Sequence, residues 1–294
     1  EIISLYKQRY SIPFKLDKRV MVTYLMNDVS NKEEFKRELK NKNLIKIIKE
    51  GIRSFKILLN KNKLITNAIC NSDAKVIIST RIEFSEILER YKRNNVITIH
   101  EQHVYNINDD YINELNNLRI DYIMPVSKVL EKKYKEKIGD RVKYIPLTLN
   151  NYPCKSNVSK LNNNNIVAVG RLEAVKAFDD LIDVMSIVVK ENRNVRLNIC
   201  GNGSQMDNLK KKIKDLHLEK FVSLLGFKHP KDLEKIYQKS SLYVLTSYEE
   251  SFGLVVVEAM SFGIPCIMFD SAKGPLECVN NKNGFIINNL ALCC

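Results

Sequence analysis

At 294 residues with 45% apolar side chains, the chain has room for about two ordinary domains with cores of their own. A small disulfide scaffold and a disordered tail are excluded. Lys and Arg number 47 against 34 Asp and Glu, a net charge of +13 that attracts anions such as phosphates, nucleic acid or acidic lipid heads. In chain order, β-rich runs at 19–25, 74–80, 96–100, 121–126 and 142–146 alternate with stretches of helical period, and Ser127 is placed to cap a helix over 128–138. Residues 150–165, rich in Asn and Ser, read as a linker between a first domain, 1–149, and a second, 166–294. Beyond it, strands are expected at 166–170, 195–200, 221–227, 242–246, 264–269 and 284–287. Phe178, Leu181, Ile182, Met185, Val188 and Val189 mark a helix, Met206, Leu209, Ile213 and Leu216 a second, and Pro230 opens a third over 231–239. Such alternation signals β-α-β units, so the fold class is α/β, with two Rossmann-like parallel-sheet domains facing a cleft. Both ends of the chain read as cut.

No apolar run approaches the ~18–20 residues of a membrane-spanning helix, and the opening EIISLYKQRY lacks a signal peptide's apolar core, so the cytoplasm is the expected location. Seven cysteines without a C-x-x-C pair read as reduced thiols, and no spacing suits a zinc site. Between 44 and 59, Leu44, Ile45, Ile48, Ile52, Phe55, Leu58 and Leu59 form one face, and Lys46, Lys49, Arg53 and Lys56 another. An ordinary sheet-covering helix with a solvated basic face is expected there. Peripheral contact with anionic membrane is the alternative.

The chemistry concentrates in SYEESFGLVVVEAMSFGIPC (247–266). Glu258 stands among valines, with mostly apolar helical neighbours at Leu254, Val255, Ser261 and Phe262, so its carboxylate faces inward and needs donors. A ribose diol offers two adjacent hydroxyls; an internal salt bridge is the bland alternative. Glu250 precedes the helix, while Ser251, Phe252, Gly253 and Leu254 lead into its first turn, where unpaired N–H groups favour an anion. In GRLEAVKAF (170–178), Arg171 and Lys176 follow Gly170 at a strand's carboxyl end, where open α/β sheets bind ligands. Two such cations can neutralise a diphosphate, although singly each would be an ordinary surface charge. No D-x-D triplet occurs, which argues against a carboxylate-held metal.

Two glutamates separated by seven residues, together with GRLEAVK, VSKVL (126–130), YIP (144–146), GNGS (201–204) and GFKHPKDL (226–233), resemble the signature of the retaining family 4 glycosyltransferases of GT-B fold. FDSAKGPLECV and NKNGF (269–285) are similar to the branch that builds bacterial surface polysaccharides and glycosylated wall polymers. The resemblance implies that Glu258 holds the ribose of a nucleotide-sugar such as a UDP- or GDP-sugar, that Glu250 meets the transferred sugar, and that Arg171 and Lys176 grip the diphosphate. Gly170, Gly201, Gly203, Ser251, Phe252, Gly253 and Leu254 would line that donor site. His103, with His100 as the alternative, would stand near the donor sugar. It implies a glycan, lipid-linked or protein acceptor and no cofactor beyond the donor; the location expected is the cytoplasm, with the inner face of the plasma membrane as the alternative. A non-catalytic nucleotide-sugar-binding fragment or partner subunit is the second reading. A nucleic-acid binder would explain the charge, but no basic stretch is interleaved with aromatics as a stacking platform. A dinucleotide oxidoreductase would need a third glycine that GNGSQM (201–206) lacks.

Overall fold

In the computed structural model, residues 1–6, 16–26, 31–149 and 152–288 are described. Contacts gather the chain into two compact units, Glu1–His100 with Asn117–Tyr122, and Glu101–Asn116 with Ile123–Cys294.

In the first unit, β1 (Ile2–Tyr6) and β2 (Val22–Met26) pair in parallel, from Ile2 against Val22 to Tyr6 against Met26. β1 was not expected. Helices α1 (Lys32–Lys40) and α2 (Leu44–Asn71) form a hairpin locked by Asn31, whose amide donates to the Glu50 carboxylate (2.7 Å) and whose Oδ1 accepts from Ser54 (2.9 Å). Strand β3 (Val76–Ser79), helix α3 (Ile82–Tyr91) and strand β4 (Ile97–Gln102) make a β-α-β unit with Val76 against Ile97. Its interior holds a polar trio: Ser85 Oγ lies 2.6 Å from Ser79 Oγ and 2.8 Å from Nδ1 of the fully buried His100. The expectation that α2 is a sheet-covering helix is corrected. Ile65 is buried and Ile47, Ser54 and Ile57 are half-buried, but the apolar face expected to pack inward is open, with Ile45 82% exposed.

Next in the chain, α4 (Asp109–Asn117) precedes β5 (Tyr122–Pro125) and α5 (Lys128–Ile138), all but Asn117 and Tyr122 within the second unit. Ser127 occupies the N-cap of α5 and its carbonyl accepts from Glu131 N (2.9 Å), but its hydroxyl makes no capping bond. The strand expected at 142–146 is reduced to a single bridge, Ile123 against Val142, with Ile145 N donating to Pro125 O (3.2 Å). Pro146 has no N–H with which to continue the ladder. Glu277 reaches this segment, accepting from Tyr144 Oη (3.1 Å) and pairing with Lys128 Nζ (3.8 Å), so 123–149 clusters with the carboxyl-terminal residues. Of the expected linker, Ser159 is buried, its hydroxyl donating to Ser240 O (2.6 Å) and its N–H to Phe262 O (2.8 Å).

The rest follows the expected alternation: β6 (Asn165–Val169), α6 (Phe178–Glu191), β7 (Arg196–Cys200), α7 (Met206–Asp215), β8 (Val222–Gly226), α8 (Pro230–Gln238), β9 (Leu242–Leu245), α9 (Leu254–Ser261), β10 (Cys266–Phe269) and β11 (Gly284–Ile287). All six strands are parallel, in the order β11-β10-β9-β6-β7-β8. Successive side chains of a strand point to opposite faces. Val167 accordingly joins the core beneath α8 and α9 with Tyr237, Val256 and Phe262, while Ala168 joins the core beneath α6 and α7 with Leu181, Ile182, Met185 and Leu209. Each large apolar side chain so buried contributes roughly 1.5–3 kcal/mol. The sheet is thus sandwiched between two helical layers, α8 and α9 on one face and α6 and α7 on the other.

Candidate active site

Strand order reverses between β6 and β9, which are paired at Ile166 against Leu242 and Val167 against Tyr243. Loops leaving the carboxyl ends of two such strands diverge and open a crevice, the place where open α/β sheets take ligands. The loop after β6 carries 170–176 and the loop after β9 carries 246–253. They are sewn together by Tyr248 N donating to Val175 O (2.9 Å) and Thr246 Oγ1 donating to Lys176 O (3.0 Å).

Lys176 Nζ and Glu250 Oε1 meet in an ion pair, each side chain only 14% exposed, and Ser247 Oγ donates to the same oxygen (3.2 Å). Residues 74 positions apart in the chain are thus juxtaposed. Glu258 is half-buried on α9 and accepts from the phenol of Tyr237 (3.3 Å), itself buried and stacked on Phe262 at 5.4 Å between centroids. Burial pushes the Glu258 carboxyl above its ordinary pKa, and the Tyr237 bond opposes that rise. The internal salt bridge offered as the bland alternative does not form: among the described residues no Lys or Arg pairs with Glu258. Tyr243, fully buried in β9, has its phenol pushed far up, first by burial, then by the neighbouring Cys266, Glu250 and Glu258. Both acids therefore converge on the β6–β9 seam, where Tyr243 Oη donates to Val169 O (3.4 Å). Tyr237 and Tyr243 were missed in the sequence because a tyrosine among apolar residues reads as core.

Gly253 is the N-cap of α9 rather than a member of its first turn, with φ +75°, and a Cβ there would lie 2.8 Å from Pro275 Cβ. Leu254 begins the helix; its amide and that of Val255 have no earlier turn to bond. Phe252 is buried, so only its backbone is available, and Ser251 is half-buried with its carbonyl packed on Gly274. Gly170 lies under the ring of Phe178 and the stem of Lys176. A Cβ on Gly201 would stand 1.8 Å from Gly170 O, and one on Gly203 2.3 Å from Leu172 O. The absence of side chains at these two glycines lets the β7 loop buttress the β6 loop, helped by Ser204 Oγ donating to Glu173 (2.6 Å). Arg171 is exposed on the same loop, where its charge helps to hold the Glu173 carboxyl below its ordinary range, after the bonds from Ser204.

His100 belongs to the polar trio inside the first unit. His103 remains, half-open and bonded through Nε2 to Glu101 (3.0 Å). Two residues on, burial and then the charge of Glu249 raise the Tyr105 phenol. Among the described residues no group of three or more His, Cys, Asp and Glu is placed to hold a metal ion.

A parallel sheet in this strand order, with an acid-cation pair at its switch point and a second acid on the following helix, defines a Rossmann-like half of GT-B type. In this chain, residues 154–290 match the family model described as glycosyl transferases group 1. Similar to it are an uncharacterized glycosyltransferase of Haemophilus influenzae, 37% identical over 45% of this chain and 37% of that protein, and the poly(ribitol-phosphate) alpha-N-acetylglucosaminyltransferase of Staphylococcus aureus, 37% identical over 41% of this chain and 24% of that protein. The crystal structure of TarM superposes with a TM-score of 0.69 at 25% identity, covering 80% of this chain and 49% of that one. The chain thus spans about half of that structure and well under half of those two relatives.

Proposed function

We propose that this chain carries out sugar transfer from a nucleoside-diphosphate-sugar to an acceptor hydroxyl, with retained anomeric configuration, in bacterial wall-polymer or surface-polysaccharide synthesis at the inner face of the plasma membrane. The juxtaposition of Lys176 and Glu250 at the switch point carries the proposal. Lys176 and the first-turn amides of α9 take the diphosphate, and Arg171 swings in from the loop rim as a second cation. Glu258, oriented by Tyr237, takes the ribose diol, and Glu250 takes hydroxyls of the sugar.

As the bond between the anomeric carbon and the diphosphate breaks, negative charge develops where Lys176 and the helix start already provide donors, the arrangement that lowers such a barrier most. The acceptor oxygen forms the new bond on the face the diphosphate leaves, and its proton passes to a phosphate oxygen. No protein base and no metal is required in this scheme. His103, held by Glu101, faces the donor sugar from the β4 turn. Support for the donor class comes from related structures: TarM was solved with UDP, and GtfA with UDP and GlcNAc. A thermal-shift panel of UDP, GDP, ADP and their sugar conjugates, followed by a turnover assay with the stabilising conjugate, tests the proposal. One diphosphate is expected to stabilise the chain without added metal, less so in Lys176→Ala and not in Glu258→Ala. Indifference to all of them would overturn it, and binding without turnover would favour the partner-subunit reading.

A further inference from the structure

Helix α2 presents its largest apolar side chains to solvent. Leu44, Ile45, Ile48, Ile52, Phe55 and Leu59 are between 54% and 82% exposed, and Leu58 is 53% exposed. At about 100° per residue these positions fill a continuous arc of roughly 140°. Exposed Lys63, Lys56, Lys49, Arg53 and Lys46 follow in that angular order along one border of the arc. Between 44 and 71 there are six cations and one acid, Glu50, which Asn31 and Arg53 hold on the far side of the helix. Apolar and basic stripes side by side are what a helix needs to lie in the headgroup region of a bilayer, its alkyl and phenyl groups among the acyl chains and its cations at the phosphates. No helix among the described residues is long and apolar enough to cross a membrane.

We infer that α2 is a docking face for an anionic lipid surface. The inference does not rest on the proposed transfer reaction. Charge decides the occupant. The apolar positions 45, 48, 52, 55 and 59 follow the 3-4 spacing of a helix-pairing seam, which a second copy could in principle match. Lys49, Lys56 and Lys63 line one flank of that seam, and the other flank, Leu44, Gly51 and Leu58, offers no acid to meet them. Two copies would place lysines against lysines or against nothing, whereas anionic headgroups satisfy the whole flank. Exposed Lys40 and Lys42, just before the helix, extend the same field.

The sequence contains no tryptophan, so Phe55→Trp creates a single fluorescent reporter at the centre of the arc. The chain is mixed, without nucleotide, with vesicles of phosphatidylcholine alone or with about a third phosphatidylglycerol, and binding is read by flotation. Expected are phosphatidylglycerol-dependent flotation that falls as salt rises, a blue shift of the indole emission in the Phe55→Trp variant, and at least about tenfold weaker binding when Lys46, Lys49, Arg53 and Lys56 become Gln. Ile48→Asp with Phe55→Asp, both at solvent-facing positions, should abolish flotation while leaving the far-ultraviolet circular dichroism unchanged. Absence of flotation overturns the inference, as does flotation without a blue shift, which would mean adsorption through another surface. A dimer that dissociates in the Asp variant and ignores vesicles would assign the face to a second copy and overturn it too. Because no donor is present, failure here leaves the proposed transfer untouched.

Discussion

Glu250→Gln removes one negative charge from the switch point while keeping the side chain's shape, and Ser247 Oγ can still donate to the amide oxygen. In the proposed site, a diphosphate arriving at Lys176 would meet the Glu250 carboxylate on the other side of the same ammonium. With each oxygen about 3 Å from Nζ, the two anions stand about 5–6 Å apart. At an effective dielectric of about 20, unit charges at that distance repel by about 3 kcal/mol, and screening at a partly open site leaves about 1–2 kcal/mol. Free nucleoside diphosphate should therefore bind Glu250→Gln about 5–30-fold more tightly than the wild type, even as sugar transfer falls. Calorimetric titration with UDP, GDP and ADP on both proteins measures this, with Lys176→Ala as the weak-binding control. Equal or weaker binding of every diphosphate by Glu250→Gln would refute the reasoning, because Lys176 would then not be shared between carboxylate and phosphate.

Gly201→Ala drives a Cβ to 1.8 Å from Gly170 O at a residue with φ +151°. The expected loss is about 3 kcal/mol or more, seen as a fall of about 6–12 °C in Tm; a fall under about 2 °C would show that the two loops yield freely. Ala177 sits at φ +48° with no side-chain exposure. Ala177→Gly relieves about 1 kcal/mol of left-handed strain but gives up a buried methyl worth about 0.8 kcal/mol and about 0.4–1 kcal/mol of unfolded-state entropy, so the urea midpoint should fall by the equivalent of under about 1 kcal/mol, and a raised midpoint would contradict this. The Glu258 carboxyl is raised in the folded state, so its contribution to stability is full below the unfolded pKa and is lost as pH rises through the folded value. Glu258→Gln should match wild-type Tm near about pH 4 and exceed it near about pH 8; a constant difference across that window would remove burial as the cause. Tyr237→Phe deletes the phenol that orients Glu258 and should weaken diphosphate binding about three- to tenfold, as titration with the same diphosphates measures. The unchanged shape of its stacked ring should spare Tm.

The fold of residues 166–287 was legible because local physics suffices there: alternating strand and helix periods dictate a parallel sheet, and the chirality of crossovers leaves few ways to arrange it. Glu250, Lys176 and Glu258 were legible for a related reason. Glu258 stands among valines and so has to be satisfied by something, whereas Lys176, an ordinary surface charge when taken singly, gained its weight only from its place at a strand's carboxyl end beside the acidic helix signal. Tyr237 and Tyr243 violate no pattern, since their rings pack as core, and only their phenol partners reveal a role. Gly201 and Gly203 were expected to line the donor site; the structure adds that neighbouring carbonyls leave no room for a Cβ at either. His100 and His103 could not be told apart by position in the chain. Burial beside Ser85 separates them.

Composition, periodicity and spacing by themselves determined the α/β class, the strand succession of the carboxyl-terminal half and the residue types at its site, because these follow from interactions along a few turns or one strand. Tertiary structure alone decided that Lys176 and Ser247 share one oxygen of Glu250, that Glu258 answers to a tyrosine rather than a cation, and that the apolar stripe of α2 faces outward. An amphipathic period shows that a helix has two unlike faces, but which of them meets the protein depends on elements distant in sequence, whose packing no local pattern encodes.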